Sequence, residues 1–546
     1  MPDPSPGSHR GSTRSRRAFL ESATALAALP WVALAGGCAS PPPAGGPDLA
    51  SATPVRARQR NTALTRGDLA FVDRLTWGAS AREAAAFNRA GRAAWLHSQL
   101  HPGRDARLPD EAQAMLDAMS ISTTPFAALV AELETTRRAS DAKAKETSDA
   151  AARQAAQQVY QQALTKVARE AASRSLLRAL YSPNQLHEQM TWFWFNHFNV
   201  YQYKNNLRVM VGDYEDRALR PHALGRFRDL LIASATHPAM IRYLDNEQNA
   251  AGHINENYAR EVMELHTLGV DGGYSQKDVQ ELARVLTGLG INLGDAMPAL
   301  RPNQRDLYVR QGFTEFNPSR HDLGDKLVLG RSIAGRGWSE VIDELGRLAA
   351  HPSTARFVSR KLAEYFAADT APPALVERMA ESFGRSDGDI AVTLTALFDS
   401  PEFAASLERK FKDPMHYVIS AVRLAYDERV IHNAGPMLGW LGRLGELPYN
   451  RQTPDGYPLD ESGWASPGQM AVRFEIARAI GSGSAGLFRP EGASVDAPAF
   501  PHLASAFFYE SVEATLGAAT RAALDRATSP QEWNVFLLSS PEFMMR

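Results

Sequence analysis

Between Ala127 and Leu180 the chain carries neither glycine nor proline, and the next proline is Pro183. A run of that length without a breaker, rich in Ala, Gln, Glu, Lys and Arg, has the α-helix as its natural regular state. Unbranched side chains lose little rotamer freedom there. The run predicts a long helix or helical hairpin over 127–180. Residues 138–158 offer few apolar anchors, so this arm should project from the body.

The phrase Met190-Thr191-Trp192-Phe193-Trp194-Phe195-Asn196-His197-Phe198 sets the second constraint. A helix this apolar on every side must be buried, and Asn196 and His197 must then find partners inside. His197 reads either as a satisfied core histidine or as a metal ligand or proton-transfer group. Helical patterns continue at 338–350, 353–368, 373–384, 389–398 and 414–428. Ser400-Pro401-Glu402-Phe403 and Ser540-Pro541-Glu542-Phe543 repeat one phrase, with Ser as N-cap and Pro at the first helical position. Both copies therefore predict helix starts. Residues 291–335, punctuated by Pro298, Pro302 and Pro318, break the pattern, and Leu327-Val328-Leu329 suggests a small hairpin. The fold expected is mainly α, a large multi-helix bundle-like domain with a projecting arm and a β-hairpin insert.

The first residues read as an address. Ser15-Arg16-Arg17-Ala18-Phe19-Leu20 resembles a twin-arginine export motif, followed by an apolar run from Ala23 to Ala35. That run is shorter than the ~20 residues a membrane-spanning helix needs, which is the layout of a signal peptide. It ends at Leu34-Ala35-Gly36-Gly37-Cys38, where a bacterial lipoprotein would be cleaved and lipidated. The expected organisation is a signal segment at 1–37 and a flexible Pro/Gly/Ala-rich tether at 38–66. A helical core at 67–430 and a loop-rich and helical part of the same domain at 431–546 follow. The protein is expected in the periplasm or anchored to the membrane through a lipid on Cys38.

Composition excludes more than it selects. Cys38 is the single cysteine, which rules out intrachain disulfides and cysteine-based metal clusters. A net charge of −2 gives no basic excess to favour nucleic acid. There is no P-loop, no H-E-x-x-H and no G-x-S-x-G. Gly481-Ser482-Gly483-Ser484-Ala485-Gly486 follows a helix-like stretch rather than a strand, so it fails the context test for a dinucleotide fingerprint.

The informative charges lie at 255–278. Wound as an α-helix, Asn255 to Gly269 places Glu256, Arg260 and Glu264 in an i, i+4, i+8 ladder. Glu261 falls instead in the apolar sector with Tyr258 and Val262. A carboxylate there needs a cation, a donor network or a raised pKa. His266 falls roughly 140° from Glu261, so a shared site would need groups from other helices. Ser275 and Asp278 form a capping-box pattern. In the insert, Arg320-His321-Asp322 with Gly324 and Lys326 is either a turn or a site in which Asp322 orients His321 as a base.

These phrases resemble a family of exported bacterial proteins known as a domain of unknown function, DUF1800. The resemblance rests on Trp192–Phe198, Asn255–Glu261, Glu264–Gly269, Tyr274-Ser275, Leu286–Gly288 and Arg320–Asp322. It continues through Arg360-Lys361-Leu362, Ser400–Phe403 and Pro454-Asp455-Gly456-Tyr457-Pro458, over residues 68–546. It implies a mainly helical, exported protein and supplies no activity. One departure is Glu446 after Leu444-Gly445, where the family tends to have Gln.

Three functions stay open. One is an envelope enzyme with a polar or metal centre built from His197, Glu261, His266 and Asp278, with His321 and Asp322 nearby. His197, Glu261 and His266 are then the candidate ligands of a transition metal ion, although the Glu-x-x-His spacing of di-iron bundles is missing. Another is a non-catalytic envelope lipoprotein that scaffolds a partner through the arm and the 431–468 loop, with Glu261 ion-paired to an arginine such as Arg284. The last is a metal-free hydrolase of an envelope polymer that uses paired carboxylates.

Overall fold

Helices make up most of the computed structural model, which describes residues 61–546 except 104–106, 295, 428 and 491–498. The expected signal segment, the twin-arginine motif and Cys38 lie outside the described residues. The tether expected through residue 66 gives way to packed chain before that point. Thr62 Oγ1 donates to Glu510 at 2.7 Å and the Leu64 amide to Ser511 Oγ at 2.9 Å. Thr65 then caps the helix Arg66–Leu75.

The breaker-free run forms a helical hairpin, Phe126–Glu146 against Ala150–Tyr181, turned at Thr147–Asp149. Its outer part is held by pairs within one helix, such as Arg137 with Glu134 and Asp141, both at 2.7 Å. The 32-residue second helix has two inner segments, and each enters a different core. Leu164, Val167, Ala168 and Ala171 join a core assembled from residues 64–403 together with Tyr449 and Phe507. Leu176, Leu177 and Leu180 join a second core that draws on Trp77, on 108–116 and on 411–544. The Gln185–His197 helix is shared in the same way, with Phe193, Trp194 and Phe195 in the first core and Trp192 in the second. Most of the second core comes from Phe411 onward, although Tyr449 and Phe507 belong to the first.

The later helices lie at Trp338–Ala349, Pro352–Phe366, Pro373–Arg385, Ile390–Phe398 and Pro414–Tyr426. Three of them begin on a proline, which lacks only an amide that a first turn leaves unpaired anyway. The repeated phrase behaves differently in its two places. Ser400 caps the helix Pro401–Ser406, whereas Ser540 opens only a turn. There the chain is captured by extended pairing, because Met545 bridges Phe411 and the Arg546 amide donates to Lys410 O at 2.8 Å.

The insert holds two small antiparallel sheets. Thr314–Phe316 runs between Leu289–Ile291 and Val309–Gln311, and Lys326–Val328 pairs with Arg331–Ile333. Leu329 and Gly330 both take positive φ in the second hairpin, the backbone that a two-residue turn between twisted strands requires. Among the described residues no helix is long and apolar enough to cross a membrane.

Candidate functional site

The buried Gln185–His197 helix ends in a polar rim that grips a distant loop. Asn196 donates from Nδ2 to Tyr457 O and accepts from the Tyr457 amide. Asn199 donates to Arg451 O and Thr453 O at 2.9 and 2.8 Å, and Tyr243 Oη donates to Gln452 O at 2.8 Å. Gly456 makes this fit possible. Its φ is +79°, and a Cβ there would lie 2.2 Å from Asn196 O, which no side chain tolerates. The clamp fixes Asp455, whose carboxylate pairs with Arg451 at 3.0 Å and accepts from Thr453 Oγ1.

The Asn255–Gly269 segment is fixed by its own asparagines. Asn257 Nδ2 donates to Leu244 O, Asn255 Nδ2 to Asp245 O, and Asn255 Oδ1 accepts from the Asn257 amide. From this anchorage an α-helical stretch, Asn257–Glu261, passes directly into π-helix, Val262–Thr267, with the Leu268 amide reaching back to Met263 O at 2.8 Å. The α-helical winding expected through Gly269 therefore ends at Glu261. A π turn carries fewer degrees per residue, so the wide separation of Glu261 and His266 drawn from a 3.6-residue period no longer holds. Of the expected ladder, Arg260 pairs with Glu256 at 3.2 Å.

His197 and His266 meet. His197 Nε2 donates to the backbone oxygen of His266 at 3.1 Å, and the ring centroids are 6.3 Å apart. His197 Nδ1 and His266 Nε2 are buried without a hydrogen-bond partner among the described residues. Burial above all, and then the nearby Lys361 cation, holds both imidazoles neutral. His266 is pushed down to about 3, and His197 lies well below its usual range.

Lys361 comes from the Pro352–Phe366 helix, one turn beyond Phe357. Gly269 lets that ring close in, since a Cβ there would lie 2.8 Å from Phe357 Cδ2. Lys361 Nζ stands 5.7 Å from the centre of the Phe357 ring, and Phe357 in turn lies 6.0 Å from His197. Burial lowers the lysine to about 8, against the opposing pull of Glu364 and Asp455. Glu261, half-buried, is raised to about 7 by burial, by Glu264 and by Asp455, against Arg260. Among the described residues neither Glu261 nor Lys361 has a hydrogen-bond or ion-pair partner, and Asp455 is near enough to act on both.

Lys361 and Asp455 are the functional candidates that sequence reasoning missed. Both stood inside quoted phrases, Arg360-Lys361-Leu362 and Pro454-Asp455-Gly456. The available signal was the order of those phrases along the chain, which says nothing about which residues meet.

The other expected site residues are engaged elsewhere. Asp278 closes its capping box, Oδ2 accepting from the Ser275 amide and hydroxyl, and Oδ1 accepts from the Leu329 amide. These bonds outweigh burial and keep its carboxyl below the usual range. His321 Nδ1 lies 2.7 Å from Thr287 O and its Nε2 lies 3.1 Å from Glu340, beside Lys326, all fully buried. Asp322 pairs with Arg284 at 2.7 Å, and Arg284 also pairs with Glu281. Arg284 is therefore not the partner of Glu261.

The donor set at the centre does not suit a metal ion. His197 Nε2 is spent on a carbonyl, and among the described residues no group of three His, Cys, Asp or Glu side chains is placed to hold an ion. What the arrangement can do is move protons. It presents a carboxyl near neutrality and an ammonium just above it, on a frame whose asparagines and His197 Nε2 bond to backbone oxygens.

The chain belongs to the family described as protein of unknown function (DUF1800), which it matches over residues 70–545. No curated protein and no solved structure matches it.

Proposed function

We propose that this protein is an exported cell-envelope enzyme that works by general acid–base catalysis, with Glu261 exchanging the proton and Lys361 supplying positive charge. One observation carries the reading. Glu261 and Lys361 have no partner among the described residues, share Asp455 as a neighbour, and sit where phrases spread from Trp192 to Pro458 converge. An unpaired carboxyl and ammonium cost stability and are kept where chemistry uses them. Glu261 ionised takes a proton from substrate or water. Lys361 protonated, with its positive field over the two neutral imidazoles, steadies the negative charge that develops. Export rests on the Arg16-Arg17 signal, membrane anchoring on Cys38, and the substrate class on that address, a hydrolysable envelope polymer.

The full chain, Glu261→Gln and Lys361→Met are to be assayed on chromogenic esters, amides and glycosides and on isolated envelope polymers. The expected rate profile is a bell with limbs near 7 and 8. Each variant should lose about a hundredfold or more with unchanged circular dichroism. Wild-type turnover in both variants would sink the proposal.

A second reading, a partner-binding scaffold, draws on a cavity of about 630 Å³ where the arm meets residues 432–435, lined by Gln158, Gln162, Lys166 and His432 among others. A Gln162→Arg chain that loses an envelope phenotype while Glu261→Gln keeps it would favour that reading.

A further inference from the structure

Far along the chain from the Glu261 phrases, the first described helix and the C-terminal segment enclose a cavity of about 350 Å³. Its walls are mostly apolar, with Leu69, Ala70, Phe507, Leu516, Leu537 and Phe543. Six charged residues also reach it, and five of them make side-chain hydrogen bonds. Arg66 and Glu408 pair with each other at 2.9 Å. Glu542 accepts from the Gly517 amide and from Thr520 Oγ1, both at 2.7 Å. Asp73 Oδ1 accepts from the Ala79 amide at 2.9 Å. Arg546 donates to His416 Nε2 and Tyr365 O at 2.6 and 2.8 Å.

Lys412 is the exception. It is 3% exposed, and the nearest carboxylate oxygen, Asp73 Oδ2, is 3.7 Å from Nζ, beyond hydrogen-bond distance. Its ammonium instead lies 4.2 Å from the centre of the Phe543 ring, itself a wall residue. A single long ion pair, with no acceptor within hydrogen-bond distance of the three donors, leaves this buried ammonium poorly solvated. Burial accordingly pulls the lysine below its ordinary range, against the nearby Asp73 carboxylate. A ligand carboxylate would supply the missing acceptors, and an apolar body would fill the rest.

We infer that this cavity is a binding site for one linear monocarboxylate, its head on Lys412 and its chain along the apolar wall. At ~30 Å³ for each water-sized group, the volume suits a body of about eight to twelve carbons. The site is independent of the acid–base reading at Glu261.

The test is calorimetric titration of the full chain with hexanoate, octanoate, decanoate and tetradecanoate, and with 1-octanol. The expected result is one site, affinity rising about fourfold per methylene until the cavity is full, and octanoate favoured over octanol. Lys412→Met should weaken octanoate tenfold or more and leave octanol unchanged. Should that variant not fold, Thr515→Trp, at the half-buried rim, should block octanoate and octanol alike with the fold intact. Equal affinity for acid and alcohol, no binding of any carboxylate, or undiminished binding in the folded variants would each overturn the assignment.

Discussion

His197 Nε2 donates to the backbone carbonyl of His266 at 3.1 Å, so the end of one buried helix caps the closing turn of another. The carbonyls in the last turn of a helix have no partner of their own, and here a side chain 69 positions away supplies one. The bond fixes the His197 tautomer and leaves Nδ1 bare, since a carbonyl can only accept.

Replacing His197 with Phe keeps the ring volume, removes the donor and leaves the His266 carbonyl buried. A loss of about 2 kcal/mol is expected, the cost of one unsatisfied buried acceptor. Urea denaturation of the two proteins measures it. A loss below about 0.5 kcal/mol, the scatter of ordinary surface substitutions, would show that the carbonyl is held in some other way.

Glu261 makes stability depend on pH in a definite direction. Its folded pKa is raised from 4.5 to about 7, so the folded chain holds the proton more tightly than the unfolded one. That stability is fully present below 4.5 and is lost as pH rises through 7. Glu261→Gln cannot lose it. The variant should gain about 1 to 2 kcal/mol on wild type at pH 8, a figure reduced for partial solvent screening, and nothing at pH 4. Parallel thermal melts at the two values decide. A gain of the same size at both would mean that titration of Glu261 is not its source.

Lys361 runs the other way. Lowered from 10.5 to about 8, it is substantially a free amine at pH 8, where an ordinary lysine is almost wholly protonated. Brief labelling with an acylating reagent, followed by peptide mass spectrometry across pH, should give Lys361 a midpoint near 8. A short unstructured lysine peptide added as a reference should keep rising beyond 10. A common midpoint for both would remove Lys361 from the proton-transfer pair.

The sequence carried the fold well, because the fold is written in local signals. Chain breakers, N-cap serines and first-position prolines stand beside the residues they organise, and the helices from Trp338 to Tyr426 follow them closely. Ser540 shows the limit. It has the same local signal as Ser400, yet pairing of Met545 with Phe411 diverts the chain. The candidate site was less legible for the same reason. Asn196, His197 and Glu261 stand out because a polar group in an apolar face is visible locally. Lys361 and Asp455 become notable only when the chain brings them together. The π turn at Val262–Thr267 has no local marker, and it altered the register from which His266 was placed.

Glu446 joins the two levels. The residue is 2% exposed, and its carboxyl accepts from the Met415 amide at 2.9 Å. Burial, and then the nearby Asp413 carboxylate, raises its pKa well above the usual range, outweighing Met415, Arg473 and Arg546. The shift favours the protonated acid, which is close in shape and hydrogen bonding to an amide. The folded pKa is raised, so its contribution is full below about 4.5 and falls as alkalinity draws the proton away. Glu446→Gln offers the same carbonyl to Met415 and has no proton to lose. It should melt with wild type at pH 4.5 and above it at pH 9, with the gap widening in between. A variant less stable than wild type at pH 9 would mean that Glu446 is ionised in the folded protein and that its charge is used.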